Sequence, residues 1–135
     1  VEQQAVMLVN QSAGEAPALA ARMIHAVVAT RGFATHRAGD LGRVVAAIAR
    51  AERLIHQDRA AAARAVIAAL PDRPARLVER IVTIYQPAVP ERPDVSADGL
   101  RTALALFPAS KRAPDLAAAD LATFVDDRFA RAARR

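Results

Sequence analysis

The sequence predicts an α/β fold that is rich in helix, with about five helices and one or two short strands. Short apolar runs near the N-terminus indicate the strands, and apolar residues spaced three and four apart from Leu41 onward indicate the helices. Prolines divide the helical part into separate elements. Because 135 residues suffice for one core, residues 1–135 are expected to form a single domain or part of one.

Two apolar runs are the candidate strands. The first, residues 5–9, is short and ends in a polar cluster at residues 10–14. The second, residues 23–30, is rich in β-branched side chains and closes at Arg31 and Gly32. Residues 15–30 could instead form one helix, and the sequence leaves both interpretations open.

The clearest helical pattern follows Asp40, which suits an N-cap position. Arg43, Arg50 and Arg53 are expected on its solvent side. The predicted buried stripe consists of Leu41, Val44, Val45, Ile48, Ala51 and Ile55.

Two further helices are predicted on either side of the proline-containing residues 71–74. The first begins at or near Asp58, and Pro74 suits the first turn of the second. The apolar face of the first consists of Ala62, Ala65, Val66, Ala69 and Leu70. The apolar stripe of the second consists of Leu77, Val78, Ile81, Ile84 and Tyr85.

The C-terminal part is predicted to contain an extended connector and two more helices. Residues 86–95 carry three prolines and form the connector, after which Ser96 caps the fourth helix. The last helix begins at residues 118–120. Its inward-facing residues are expected to be Leu121, Phe124, Val125 and Phe129.

The charge is basic, with 19 Lys and Arg against 14 Asp and Glu, and Lys111 is the only lysine. The arginines are spread along the chain and alternate with acids, so nucleic-acid binding is not expected. The sequence contains no cysteine, which excludes disulfides and thiolate chemistry. No apolar run approaches the roughly 20 residues that span a bilayer.

Catalytic and metal-binding motifs are not evident. The five glycines form no phosphate loop, and the three histidines lack metal-ligand spacing. His56 is expected near a helix end, and His25 is expected to be partly buried. Asp126 and Asp127 point about 100° apart on a helix and are interpreted as a solvated face. Tyr85 is expected to bury its ring. We therefore expect no enzyme, no catalytic residue, no metal site and no cofactor.

The order of elements over residues 23–131 resembles a known family. The segments that carry the resemblance are Val27-Val28-Ala29-Thr30 leading into Gly32-Phe33-Ala34, Tyr85-Gln86-Pro87, Ser96-Ala97-Asp98-Gly99-Leu100 and Asp126-Asp127-Arg128-Phe129-Ala130. This order is similar to the C-terminal part of the periplasmic solute-binding proteins of ABC transporters, in the nitrate, sulfonate, taurine and thiamine-precursor group. The resemblance covers about four-fifths of the chain, and no single motif in it is diagnostic.

The resemblance implies a two-lobed α/β fold, of which this chain is a portion of the second lobe. It implies a substrate-binding component of an importer that captures a small solute (a sulfonate, nitrate, taurine or a pyrimidine) in the interlobe cleft. Its partners would be that solute and the membrane permease, and its location periplasmic or cell-surface. No ligand-contacting segment of the family has a residue-by-residue match, so the ligand-binding residues and oligomeric state are left open.

A second interpretation is a small basic helical module for protein interaction or regulation, without catalysis. Amphipathic helices with few catalytic groups fit it equally well. The signal segment expected for an exported solute-binding protein is not in residues 1–135, and a start codon just before Val1 would contradict the first interpretation.

Overall fold

The structure, a computed structural model, describes residues 8–19, 25–106 and 119–133. This part of the chain contains six α-helices and no strand. The helices are α1 (Arg31–His36), α2 (Ala38–Gln57), α3 (Arg59–Ala69), α4 (Ala75–Tyr85), α5 (Ala97–Ala105) and α6 (Arg128–Ala132). The predicted α/β class is therefore wrong for the described residues, and a two-lobed fold is not seen in them.

Neither candidate strand forms a strand where the structure describes it. Of residues 5–9, only Leu8 and Val9 are described, and both are exposed. Residues 25–30 are exposed and irregular, and they end at Thr30, whose Oγ1 accepts a hydrogen bond from the Phe33 backbone N–H at 3.1 Å. Thr30 is thus the N-cap of α1. β-Branched residues favour extended backbone, but a strand also needs a pairing partner, and none lies beside these residues in the described chain.

The alternative of one helix over residues 15–30 is not supported either. The described parts of that range contain a short 3₁₀ turn, Pro17–Leu19, and the irregular residues 25–30. Residues 20–24, which include part of the second apolar run, lie outside the described residues.

Helix α2 has 20 residues, which gives a length of about 30 Å. It begins at Ala38, with Arg37 rather than Asp40 at the N-cap position. Asp40 lies in the first turn and pairs with the guanidinium groups of Arg37 and Arg43. A carboxylate there also faces the positive end of the helix dipole.

Helices α3 and α4 begin close to where the sequence predicts. The Asp58 carboxylate accepts a hydrogen bond from the Ala61 N–H at 2.9 Å and caps α3. Pro74 is the N-cap residue of α4, so this proline separates the two helices as expected. Ser96 caps α5 by accepting from the Gly99 N–H at 2.9 Å, which confirms the predicted cap.

The predicted last helix is wrong in its extent. A 3₁₀ turn, Leu121–Phe124, is followed by a break, and α6 starts only at Arg128. Asp120 caps the 3₁₀ turn by accepting from the Ala122 N–H at 3.0 Å. Asp126 then accepts from the Arg128 N–H at 3.3 Å, so its side chain bonds to the backbone across the break.

Within the described residues, two apolar clusters form the core, and α2 contributes to both. The first joins α3, α4 and the C-terminal half of α2, and contains Ala62, Ala63, Val78, Val82, Leu54, Ile55, Val66 and Ile67. The second joins α1, α6 and the N-terminal half of α2, and contains Leu41, Val45, Ala130, Ala34, Phe129 and Ala133. Many of the buried side chains are alanine, so the helices pack closely around small side chains.

Candidate interaction surface

Helix α4 has apolar side chains on two sides, and only one side is covered. Val78 and Val82 are 3% and 8% exposed and pack against Ala62 and Ala63 of α3. Leu77, Ile81 and Tyr85 are 46%, 44% and 59% exposed. These three residues, called the outer row here, follow one another at intervals of four along the helix and therefore lie on one face.

The side of α4 that the sequence pattern predicts to be buried differs from the side that is buried in the structure. The pattern placed Leu77, Ile81 and Tyr85 in the buried stripe and omitted Val82, whereas Val82 is buried and the outer row is exposed. Only Val78 of the predicted stripe is fully buried, and Ile84 is half-buried. The Tyr85 ring, expected in the core, lies on the surface.

A basic edge runs beside the outer row. Arg76 and Arg80 are exposed and lie one turn apart on α4, and at 100° per residue Arg80 is about a quarter turn from the middle of the row. Arg73 is exposed just before the helix. None of the ion pairs within residues 8–19, 25–106 and 119–133 involves these three arginines.

Some of the other arginines of the described chain are paired with carboxylates. Arg128 contacts Asp126 at 2.9 Å and Arg131 contacts Asp127 at 2.6 Å. Six of the described arginines are paired in this way, namely Arg37, Arg43, Arg92, Arg101, Arg128 and Arg131. Other described arginines, such as Arg50 and Arg64, also form no ion pair within the described chain, so the basic edge of α4 is set apart by its position beside the outer row.

A partly open groove of about 440 Å³ lies on the other side of α4, against α3. Its lining consists of Arg59, Ala60, Ala63, Arg64, Glu79 and Thr83. Two of the polar groups already have local partners, since Arg59 Nη1 donates to Gln86 Oε1 at 3.1 Å and the Thr83 hydroxyl donates to the Glu79 carbonyl at 2.9 Å. The Glu79 carboxylate also opposes anion binding by the two arginines. The groove therefore does not form a defined ligand site.

An acidic contact lies between α2 and the connector that leads to α5. Burial raises the pKa of Glu52 above its usual range, and the negative charge of Asp94 raises it further, whereas His56 and Arg53 act in the opposite direction. Within the described chain, Glu52 Oε2 is buried without a hydrogen-bond partner. No sequence pattern indicates this interaction, because Glu52 and Asp94 are distant in the chain and neither belongs to a motif.

His56 lies in the last turn of α2, as predicted. Its Nε2 is 2.9 Å from the Val89 carbonyl oxygen, so it joins the helix to the connector. Gln86 Nε2 donates to the Ile55 carbonyl at 3.1 Å and reinforces the same contact. These bonds hold the segment that directly follows the outer row.

The other residues considered for chemistry are not brought together. His25 and His36 are exposed, so the prediction that His25 is partly buried is wrong. Asp126 and Asp127 precede α6 instead of lying on a helix face. In the described ranges, no three histidine or acidic side chains form a group that could hold a metal ion.

No family model, curated protein or solved structure matches this chain. The resemblance to periplasmic solute-binding proteins therefore stays a prediction from the sequence. Among the helices of the described residues, none combines the length and apolar character needed to cross a bilayer.

Proposed function

We propose that this chain is a small helical interaction module that binds another protein through the outer row of α4, without catalysis. The observation that carries the proposal is the exposure of Leu77, Ile81 and Tyr85 along one face of a helix whose neighbouring face, with Val78 and Val82, is already packed. Helix recognition commonly uses apolar anchors at intervals of three, four and seven residues.

Exposure of single apolar residues would not support this proposal, because all soluble proteins show it. Val28, for example, is 90% exposed in the irregular segment before α1. The outer row differs because its three side chains are contiguous on a regular helix that is held in place by Val78 and Val82 on its neighbouring face. A rigid helix presents its anchors with little loss of conformational entropy on binding.

The importer hypothesis lacks such a feature in the described chain. It depended on a two-lobed α/β architecture, and the described residues contain helices alone. The groove between α3 and α4 is partly open, whereas small-molecule sites are usually concave clefts that bury most of the ligand. Solute binding, the permease partner and the periplasmic location stay predictions from the resemblance.

The proposal is tested with isotope-labelled protein and a short helical peptide that carries leucines at intervals of three and four with glutamines elsewhere. Binding should shift the backbone NMR signals of α4 and leave those of α1 and α6 unchanged. The double substitution Leu77→Ser with Ile81→Ser should abolish the shifts, whereas the matched control Val28→Ser should not.

The result that would overturn the proposal is clear. If neither this peptide nor charged peptides of the same apolar pattern shift the signals of α4, the outer row is not a protein-binding surface. Circular dichroism of the double variant checks that it keeps its helices, which is expected because both substituted side chains are half exposed.

A further inference from the structure

We infer that the partner of the outer row is an acidic amphipathic helix, whose apolar stripe covers Leu77, Ile81 and Tyr85 and whose flanking carboxylates pair with Arg76 and Arg80. This inference rests on the proposed function and names the chemistry of the partner. It follows from the distribution of charge around the exposed face.

The spacing of the basic edge suits a helical ligand. Arg76 and Arg80 are four residues apart, so their guanidinium groups lie one turn of helix apart on the same side of the outer row. Carboxylates three or four residues apart on a second helix have a similar separation. Guanidinium groups bind carboxylates through paired, parallel hydrogen bonds, which fixes the position of the second helix as well as attracting it.

These arginines are available for a partner. Arg73, Arg76 and Arg80 are exposed, and no ion pair in the described part of the chain involves them. The one acidic residue of α4, Glu79, lines the groove against α3 and lies on the far side from the outer row. The edge beside the outer row therefore carries positive charge, and Glu79 forms no ion pair with Arg76 or Arg80 in the described chain.

The same charge argues against a second copy of this chain as the occupant. An antiparallel pair of α4 helices would bring Arg76 and Arg80 of one copy towards those of the other, and Glu79 could not reach the contact from the opposite side. Like charges placed together in this way oppose association.

An anionic membrane fits the surface less well than a helix does. A helix that lies in a bilayer surface needs a wide apolar face with basic residues beside it. In α4 the basic edge is on one side only, and the other side is occupied by Val78 and Val82, which pack against α3. The apolar surface left for lipid is therefore a single narrow row.

The test compares three short helical peptides with the same leucine pattern and with Glu, Gln or Lys at the flanking positions. Fluorescence anisotropy of labelled peptide against the whole chain gives each Kd at low and at physiological salt. Two exposed ion pairs should make the Glu peptide about fivefold tighter than the Gln peptide, and the Lys peptide weaker than both. Added salt should reduce the advantage of the Glu peptide.

Substitutions then locate the charge effect. Arg76→Gln with Arg80→Gln should weaken the Glu peptide about fivefold and leave the Gln peptide unchanged. The matched control is Arg50→Gln, an exposed arginine of α2, which should change neither Kd.

The outcomes distinguish this inference from the proposed function. Equal binding of the three peptides overturns the acidic partner and leaves the interaction surface in place, whereas no binding of any peptide overturns both. A chain that sediments as a dimer broken by Ile81→Ser points to a second copy, and binding to phosphatidylserine vesicles that requires Arg76 and Arg80 points to a membrane. Either result contradicts the inference.

Discussion

Truncation of Val78 provides the most direct test of which side of α4 is packed. Val78 is 3% exposed and contacts the alanines of α3 in the first apolar cluster. Val78→Ala removes two buried methyl groups at about 0.8 kcal/mol each, and the cavity that remains adds to this loss. We expect the free energy of unfolding to fall by roughly 2 kcal/mol.

The matched control is Leu77→Ala in the same turn of the same helix. It removes a larger side chain, but Leu77 is half exposed and lies outside both clusters. Leucine and alanine have similar helix propensities, so the expected loss is below about 1 kcal/mol. A sequence pattern that buries both residues would predict the opposite order, because leucine is the larger side chain.

Urea unfolding followed by circular dichroism measures both variants. For a chain of this size, Val78→Ala should also lower Tm by about 7 °C. The m-value should be unchanged in both variants if only native-state packing is altered. A loss for Leu77→Ala that equals or exceeds that for Val78→Ala would refute the packing of α4 described here, and with it the exposure of the outer row.

Three further predictions concern other parts of the chain. Because the folded-state pKa of Glu52 is raised, protonation of its carboxyl group stabilises the folded protein. This stabilisation is fully present below the ordinary pKa of 4.5 and is lost as pH rises through the folded-state pKa. Glu52→Gln should therefore gain stability relative to the wild-type protein between acidic and neutral pH in urea titrations, whereas Glu91→Gln, on the exposed connector, should run parallel to wild type. Asp58→Ala should cost about 1 kcal/mol by removing the α3 cap, and the same experiment on exposed Asp72→Ala should show almost no change. Ala49→Leu should cost about 1–3 kcal/mol in the same assay because Ala49 is fully buried, and an unchanged or increased stability would mean that α2 has unfilled space beside it.

Two local caps were predicted correctly from the sequence, whereas Asp40 lies in the first turn of α2 and not at its N-cap. Asp58 and Ser96 cap helices because a short polar side chain placed before an apolar repeat satisfies backbone N–H groups within three residues. Pro74 separates α3 from α4 for an equally local reason, since proline suits the start of a helix and disrupts its interior.

Features that depend on distant residues were not predicted. Helix α4 is apolar over a wide arc, so its periodicity alone does not tell whether Val82 or Ile81 is buried; the alanines of α3 decide it. Residues 25–30 have the β-branched composition of a strand, but pairing depends on another segment. Burial of Glu52 follows from the approach of the connector, which no pattern around residue 52 records.

The position of α2 between two apolar clusters has a consequence for the local unfolding of the protein. The first cluster includes α3 and α4, the second includes α1 and α6, and α2 is the helix that belongs to both. Local unfolding of α1 and α6 would leave α4 packed against α3, so the outer row would keep its position. Hydrogen exchange should then divide the protein into two units of different protection, with the amides of α3 and α4 in one and those of α1 and α6 in the other.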